Sequence, residues 1–287
     1  MDSLQHRSLW EHDYALINPL QVDSKLWSDL PAVALVPDGL EESADLMPRL
    51  LLLTKLGGKE RIALLDRAKK HENFSNFPYF SSLIASKEEP TFLAACLRRQ
   101  LVARFNKTKV FFRYFDPRVF KHLEWILSDA QLSALLYGVE TWTWRDELGK
   151  WCIHNQTKFC TYPRFRLLSE QWDQVKRIHL INQVVAKIED ASNDIVMANR
   201  SISRLIDELL VQASENYNLI NSEDRCLYAY HGVIYGTDIF RHPEFAARLA
   251  RTKNSEQSYI KATRDLDPAM LKRFAHEICQ PQGAVHV

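Results

Sequence analysis

The sequence lacks the long apolar runs and the one-sided charge that would favour a membrane or a nucleic acid as partner. Its richest apolar run, Leu50 to Leu53, lies between Arg49 and Lys55, whereas a membrane-spanning helix needs about 18 consecutive apolar residues. The 37 basic and 36 acidic residues give a formal net charge of +1, so no global field attracts nucleic acid or an anionic surface. We therefore expect neither membrane insertion nor nucleic-acid binding.

Disulfide and signal-peptide patterns are also missing. The five cysteines are odd in number and scattered along the chain, which is typical of reduced thiols in a cytosol. The opening segment, MDSLQHRSLWEHDY, has no basic stretch followed by an apolar core, so it does not match a cleaved signal peptide. These features predict a cytoplasmic protein.

Short catalytic motifs are absent from the sequence. There is no G-x-S-x-G elbow, no dinucleotide-binding glycine fingerprint and no H-E-x-x-H. Gly57-Gly58-Lys59 lacks both the earlier glycine and the following Ser or Thr of a phosphate-binding loop. We predict no catalytic residue and no cofactor.

One group of cysteine and histidine residues could form a metal site or a catalytic pair. Cys152, His154 and Cys160 could hold a metal ion, and Cys152 with His154 could form a nucleophile pair. The first arrangement lacks a fourth ligand at a suitable spacing, and the second lacks an orienting residue. Alternate residues of a strand also share a face when they only pack a core, so we predict no metal site.

The most informative stretch runs from Lys109 to Ile126, KVFFRYFDPRVFKHLEWI. The β-branched and aromatic residues between Val110 and Phe115 predict a largely buried strand. Asp116 is a preferred N-cap, and Pro117 suits the first position of a helix whose apolar residues recur at helical spacing. The stretch therefore predicts a strand that leads directly into a helix.

Two arginines flank the carboxylate at this strand–helix junction. In an architectural interpretation, Asp116 caps the helix, Arg113 pairs with it and Arg118 is solvated. In another, the arginines face a protein partner. In a third, the three residues hold a phosphate or carboxylate at the helix N-terminus, as in a hydrolase or nuclease-like toxin, although the sequence identifies no nucleophile or base for it.

The same stretch resembles the type VI secretion effector adaptors, a family long labelled a domain of unknown function. Its hallmark is an aromatic strand that runs into Arg-aromatic-aromatic-Asp-Pro-Arg, and this chain has Arg113, Tyr114, Phe115, Asp116, Pro117 and Arg118 in those places. The resemblance continues in order on both sides over roughly the first half of the chain. It includes YALIN at Tyr14 to Asn18, the segment around Leu35, SLIAS, Leu97 to Arg99, Ser128 to Leu132, and the aromatic strand with Trp142 and Trp144.

The resemblance implies a non-enzymatic adaptor or chaperone. Such a protein binds a cognate effector in the bacterial cytoplasm and loads it onto the VgrG spike of a type VI secretion system. Because aromatic and arginine side chains dominate protein interfaces, Trp142, Trp144 and Arg118 are candidates for partner contact. Burial in the sheet is the alternative for both tryptophans.

The rest of the chain predicts two domains, residues 1–165 and 166–287. In the first, strands alternate with helices, which indicates an α/β (α+β) domain with a mixed sheet. In the second, apolar stripes at helical spacing predict an all-α bundle. If the chain is an adaptor, as the resemblance implies, we expect this bundle to contribute to selecting the partner. The predicted strands are Tyr14–Asn18, Ala32–Val36, Arg49–Leu53, Ser82–Ala85, Val139–Trp144 and Lys150–His154, and the first-half helices span Glu60–Lys70, a segment capped by Thr91, and Asp129–Leu136.

A basic region precedes the junction, with Arg98, Arg99, Arg104, Lys107 and Lys109. A solvated helix face and a charged turn explain such a run in most proteins. A docking face for an acidic protein is the alternative.

Overall fold

The computed structural model describes residues 9–106, 108–146, 149–156, 165–191, 200–253 and 257–279. The chain divides into two compact units, residues 1–172 and 173–287. None of the helices in these ranges combines the length and the apolar content that a membrane crossing needs.

The described residues of the first unit include eight strands and four α-helices. The strands are β1 (Tyr14–Ile17), β2 (Ala32–Ala34), β3 (Arg49–Leu52), β4 (Ser82–Ala85), β5 (Val102–Phe105), β6 (Thr108–Phe111), β7 (Thr141–Arg145) and β8 (Trp151–Asn155). The helices are α1 (Gly58–Phe74), α2 (Pro90–Gln100), α3 (Pro117–Ile126) and α4 (Asp129–Leu135).

Six of these strands form one sheet in the order β2-β3-β1-β4-β7-β8. All four residues of β1 are buried, and Tyr14 lies opposite Leu52 of β3 on one side and Ile84 of β4 on the other. Every pairing in the described strands is antiparallel, so the mixed sheet predicted from the sequence is wrong. The strand–helix–strand order β3-α1-β4 suggests parallel neighbours, but β1 lies between β3 and β4.

The remaining strands, β5 and β6, form a separate antiparallel ribbon of two strands. The strand predicted to extend to Phe115 therefore ends at Phe111. Phe112, Tyr114 and Phe115 are buried in the turn that leads into α3. A buried turn and a buried strand produce the same apolar run in a sequence, and the pattern cannot distinguish them.

Three predicted helix boundaries in the first unit have clear outcomes. The Asp116 cap with Pro117 as first helical residue is confirmed. The predicted Thr91 cap is wrong, because Pro90 is the first residue of α2 and Glu89 is its N-cap. Helix α1 continues to Phe74, beyond the predicted end at Lys70.

The second unit is helical. A long helix, α5 (Ser169–Ala191), contains the boundary between the units, and α6 (Arg200–Tyr217), α7 (Ser222–Tyr235), α8 (Pro243–Lys253), α9 (Tyr259–Thr263) and α10 (Pro268–Cys279) follow. The sequence also predicts a helix from Asp194 to Glu215, and its predicted start lies outside the described residues. The aromatic residues Tyr228, Tyr230 and Tyr235 lie in α7.

Aromatic stacking and one glycine bring the helices of the second unit together. The rings of Tyr228 and Phe240 stack with their centroids 4.0 Å apart. A Cβ on Gly232 would lie 2.9 Å from a methyl group of Leu209, so the close approach of α6 and α7 leaves little room for a side chain at this position. The predicted order of an α+β unit followed by an all-α unit is confirmed.

Candidate functional site

A cleft of about 630 Å³ lies in the first unit beside the N-terminus of α3. Its volume is typical of sites that hold a small molecule or a few side chains of a partner. Three segments form most of its wall: residues 72–78 at the end of α1, residues 116–118 at the start of α3, and the β7–β8 hairpin with Arg145, Asp146 and Gly149.

Asp116 fixes the start of α3 at this cleft. Its Oδ1 accepts a hydrogen bond from the backbone N–H of Arg118 at 3.1 Å. A side-chain acceptor at this position satisfies a backbone donor that the helix cannot pair internally. The wall of the cleft is thus anchored by local sequence.

The same carboxylate holds both arginines of the junction. Its Oδ2 lies 2.9 Å from Nη2 of Arg113 and 2.8 Å from Nη2 of Arg118, and Nε of Arg118 donates to Oδ1 at 3.1 Å. The Asp116 side chain is only 2% exposed, whereas the two arginines are 41% and 45% exposed. The bond to Asp116 raises the pKa of Arg118, because the carboxylate stabilises the charged guanidinium.

A second ion pair lines the same cleft. Nη1 of Arg145 lies 2.6 Å from Oε2 of Glu72, and both side chains are largely buried. Nε of Arg145 also donates to the carbonyl oxygen of Gly149 at 2.9 Å. Helix α1 and the β7–β8 hairpin are therefore linked by a charge-assisted hydrogen bond.

Gly149 is required where the hairpin meets this guanidinium. Its φ of +78° lies in the left-handed region, and a Cβ there would lie 2.7 Å from Nη2 of Arg145. A larger residue would meet both backbone strain and a steric clash.

Aromatic side chains form the exposed edge of the cleft. Phe74 is 92% exposed, more than any other large apolar residue that the structure describes. Phe77 is partly exposed, and the guanidinium of Arg118 lies over its ring at 5.2 Å. Exposed aromatics beside an arginine are the side chains that contribute most to protein interfaces.

The other residues predicted from the sequence are internal. Tyr114 is buried and donates its hydroxyl hydrogen to the carbonyl oxygen of Leu97 at 3.0 Å. Trp142 and Trp144 of β7 are buried as well, with ring centroids 5.2 and 4.9 Å from that of Phe120 in α3. Of the two interpretations of the tryptophans, the structure shows burial in the sheet.

The two residues considered as a nucleophile pair are also placed on β8. Burial, followed by the negative charge of Asp146, raises the pKa of the Cys152 thiol, which disfavours the reactive thiolate. Nδ1 of His154 lies 3.5 Å from a carboxylate oxygen of Glu124. Cys160 lies outside the described residues, among which no group of three or more His, Cys, Asp or Glu side chains could hold a metal ion.

Sequence reasoning missed half of the cleft. Glu72 and Arg145 are 73 residues apart, and no local pattern pairs them. One local signal could have marked Arg145 as a residue of the cleft, namely its position at the end of an aromatic strand. A charged residue at the end of a strand lies at the rim of the sheet. Phe74 is exposed as the last residue of α1.

The arginines of the cleft already have carboxylate partners. Arg118 is engaged by Asp116 and Arg145 by Glu72, so a phosphate or carboxylate would compete with carboxylates already in place. The remaining surface combines aromatic rings, prolines and amide side chains.

A family model described as Domain of unknown function (DUF4123) matches residues 14–134. The match begins at the first residue of β1 and ends within α4, so it contains the Asp116 junction but neither β7 nor the second unit. No curated protein and no solved structure matches the chain.

Proposed function

We propose that the chain is a non-enzymatic adaptor that binds a type VI secretion effector in the bacterial cytoplasm and loads it onto the VgrG spike. The observation that carries the proposal is the match to residues 14–134, since the matched family is known as a type VI secretion effector adaptor domain. The Arg113–Arg118 segment lies inside this match.

The two parts of the chain have different roles in this proposal. The division is the one predicted from the sequence, with residues 1–165 as the shared adaptor scaffold and residues 166–287 as the part that contributes to selecting the partner. The reach of the family match supports it, because the match ends at residue 134. A partner-specific part is expected to differ more between relatives than a shared one.

The cleft is the proposed contact surface of the scaffold. Phe74, Phe77 and Arg118 supply exposed aromatic and guanidinium groups, and the cleft beside them can receive a side chain of the partner. Arg113, Tyr114, Asp116, Pro117, Trp142 and Trp144 hold this surface in place.

Pairwise co-expression tests the proposal directly. The tagged chain is produced with each toxin-like protein and each VgrG protein encoded beside its gene, captured, and analysed by size-exclusion chromatography. We expect a stable complex with one effector and a further complex that contains the spike. Absence of a complex in every pairing would contradict the adaptor function.

A phosphate titration separates the adaptor from an enzyme with an anion site at Arg113, Asp116 and Arg118. Because Asp116 already pairs with both guanidinium groups at this junction, inorganic phosphate should leave the thermal midpoint of the protein unchanged. A rise that is abolished in Arg118→Gln would instead favour the anion site.

A further inference from the structure

Positive charge is concentrated in one segment of the first unit. Between Pro90 and Phe115 the chain has six basic residues and no acidic residue, although the whole chain has a formal net charge of only +1. Arg113 is paired with Asp116. The others that the structure describes are Arg98 and Arg99 at the end of α2, Arg104 on β5 and Lys109 on β6, and all four are exposed.

The register of the ribbon places two of these charges together. Arg104 lies directly opposite Lys109, and Phe105 lies opposite Thr108. Directly opposite side chains share a face, and successive residues alternate between faces. Arg104 and Lys109 therefore share one face, and Phe105 lies on the other.

Packing and exposure differ between the residues of the ribbon. The ring of Phe105 lies 5.3 Å from that of Trp172, so Phe105 packs against the first unit, and Phe111, on the same face as Lys109, packs against Phe115. Arg104 and Lys109 are exposed on the opposite face. We call the face that presents Arg104 and Lys109 the basic ribbon.

The arrangement is unfavourable in the free protein. Like charges directly opposite each other destabilise a strand pair, and a ribbon of two strands has little stability of its own. Arg98 and Arg99 interact favourably with the C-terminus of α2, but Arg104 and Lys109 have no such role. Carboxylates of a partner would remove the repulsion.

We infer that the basic ribbon is a docking surface for an acidic segment of a protein partner. The inference rests on the proposed function, for which it supplies the chemistry of one partner. A single nucleic-acid strand is a poorer fit, because such sites combine basic residues with aromatic rings free to stack on bases. Here the rings of Phe105 and Phe111 pack against Trp172 and Phe115.

The test uses a fluorescent oligoglutamate peptide and fluorescence anisotropy. The ribbon variant is Arg104→Glu with Lys109→Glu, and the matched control is Lys59→Glu with Lys69→Glu, two exposed lysines of α1 whose reversal changes the charge equally. We expect the ribbon variant to bind roughly tenfold more weakly, or worse, and the control to bind like wild type. Binding to wild type should also weaken as salt increases.

A single substitution separates docking from folding. Lys109→Glu places opposite charges across the ribbon, so its thermal midpoint should equal or exceed that of wild type while peptide binding is weakened. Equal loss of binding in the ribbon and control variants would overturn the inference. Tighter binding of a single-stranded oligonucleotide of the same formal charge would overturn it as well.

The co-expression experiment keeps this inference separate from the proposed function. If wild type captures an effector or spike and the ribbon variant captures it equally well, the inference fails and the adaptor function stands. If wild type captures neither, the adaptor function fails, and the peptide titration still decides whether the ribbon binds acidic segments.

Discussion

Two buried carboxylates, one in each unit, pair with arginines over very different distances in the sequence. In the first, Asp116 pairs with Arg113 and Arg118, which lie three and two residues away. In the second, Asp207 of α6 accepts two hydrogen bonds, at 2.6 and 3.1 Å, from Arg177 of α5, 30 residues away. The local cluster is recognisable as a motif and the distant pair is not, although both carboxylates are buried.

Other buried polar contacts in the second unit also join residues that are far apart in the sequence. Nδ1 of His231 in α7 lies 2.9 Å from the hydroxyl oxygen of Tyr259 in α9, and Asp224 accepts from the backbone N–H of Ile260 at 2.9 Å. Each contact joins elements that are far apart in the chain. A motif that can be recognised in the sequence therefore indicates contacts between residues that are close in the chain. It does not indicate which unit is held together by more buried contacts.

The largest effect on stability should follow from removing the carboxylate of Asp116, which pairs with Arg113 and Arg118. Asp116→Ala removes the cap of α3 and the charge-assisted hydrogen bonds to Arg113 and Arg118, which together should lower the free energy of unfolding by about 4 kcal/mol. All seven tryptophans lie in the first unit, so urea unfolding followed by tryptophan fluorescence measures this unit.

Asp116→Asn is the matched control for charge. Asparagine caps a helix about as well as aspartate, but it does not neutralise the two guanidinium groups. Its midpoint should lie between those of wild type and Asp116→Ala. Equal midpoints for Asn and wild type would show that the cap, and not the ion pairs, supplies the stability.

A smaller loss of stability is expected in the second unit when the pH is lowered. Burial, followed by the positive charge of Lys187, lowers the pKa of His231 to about 4. The unfolded chain, with an ordinary histidine pKa of about 6.5, then takes up a proton first as the pH falls. The contribution of the neutral His231 side chain to the free energy of unfolding is therefore complete above pH ~6.5. It is lost as the pH falls towards ~4, and the total loss is about 3 kcal/mol.

Hydrogen exchange within Ser222–Tyr235 measures this loss. Protection of α7 should fall between pH ~6.5 and ~4 in wild type, after correction for the intrinsic exchange rate. The His231→Gln variant should be less protected at neutral pH but should show a weaker dependence on pH. An equal dependence in both proteins would assign the effect to another group.

The sequence predicted the elements better than it predicted their partners. Strand β4 and the hairpin of β7 and β8 were identified because their apolar runs are bounded by turn residues. The sheet order, and the pairing of Glu72 with Arg145, depend on contacts between residues far apart, which no local pattern encodes. The Phe112–Phe115 turn was assigned to a strand because burial alone produces its aromatic run.

The next effect in size concerns the close approach of α6 and α7. In Gly232→Ala, the new methyl group would meet Leu209 at 2.9 Å and Phe240 at 3.1 Å. Overpacking should outweigh the gain in helix propensity and destabilise the second unit by about 1 kcal/mol. Hydrogen exchange in α7 reports this change.

Gly58→Ala is the matched control, because Gly58 is also helical and a Cβ there would meet nothing within 4 Å. It should leave stability equal to wild type or slightly higher. If both alanines had the same effect, the contact between α6 and α7 would not be the reason that position 232 is glycine.

The smallest effect on stability should come from the exposed edge of the cleft, where the proposed function is most directly tested. Phe74 is 92% exposed, so Phe74→Asp removes little buried area and should change the free energy of unfolding by less than about 0.5 kcal/mol. Leu46→Asp, at another exposed apolar residue of the first unit, controls for the added charge. If the cleft contacts the effector, Phe74→Asp weakens capture and Leu46→Asp does not, whereas equal capture by both would move the contact away from the cleft.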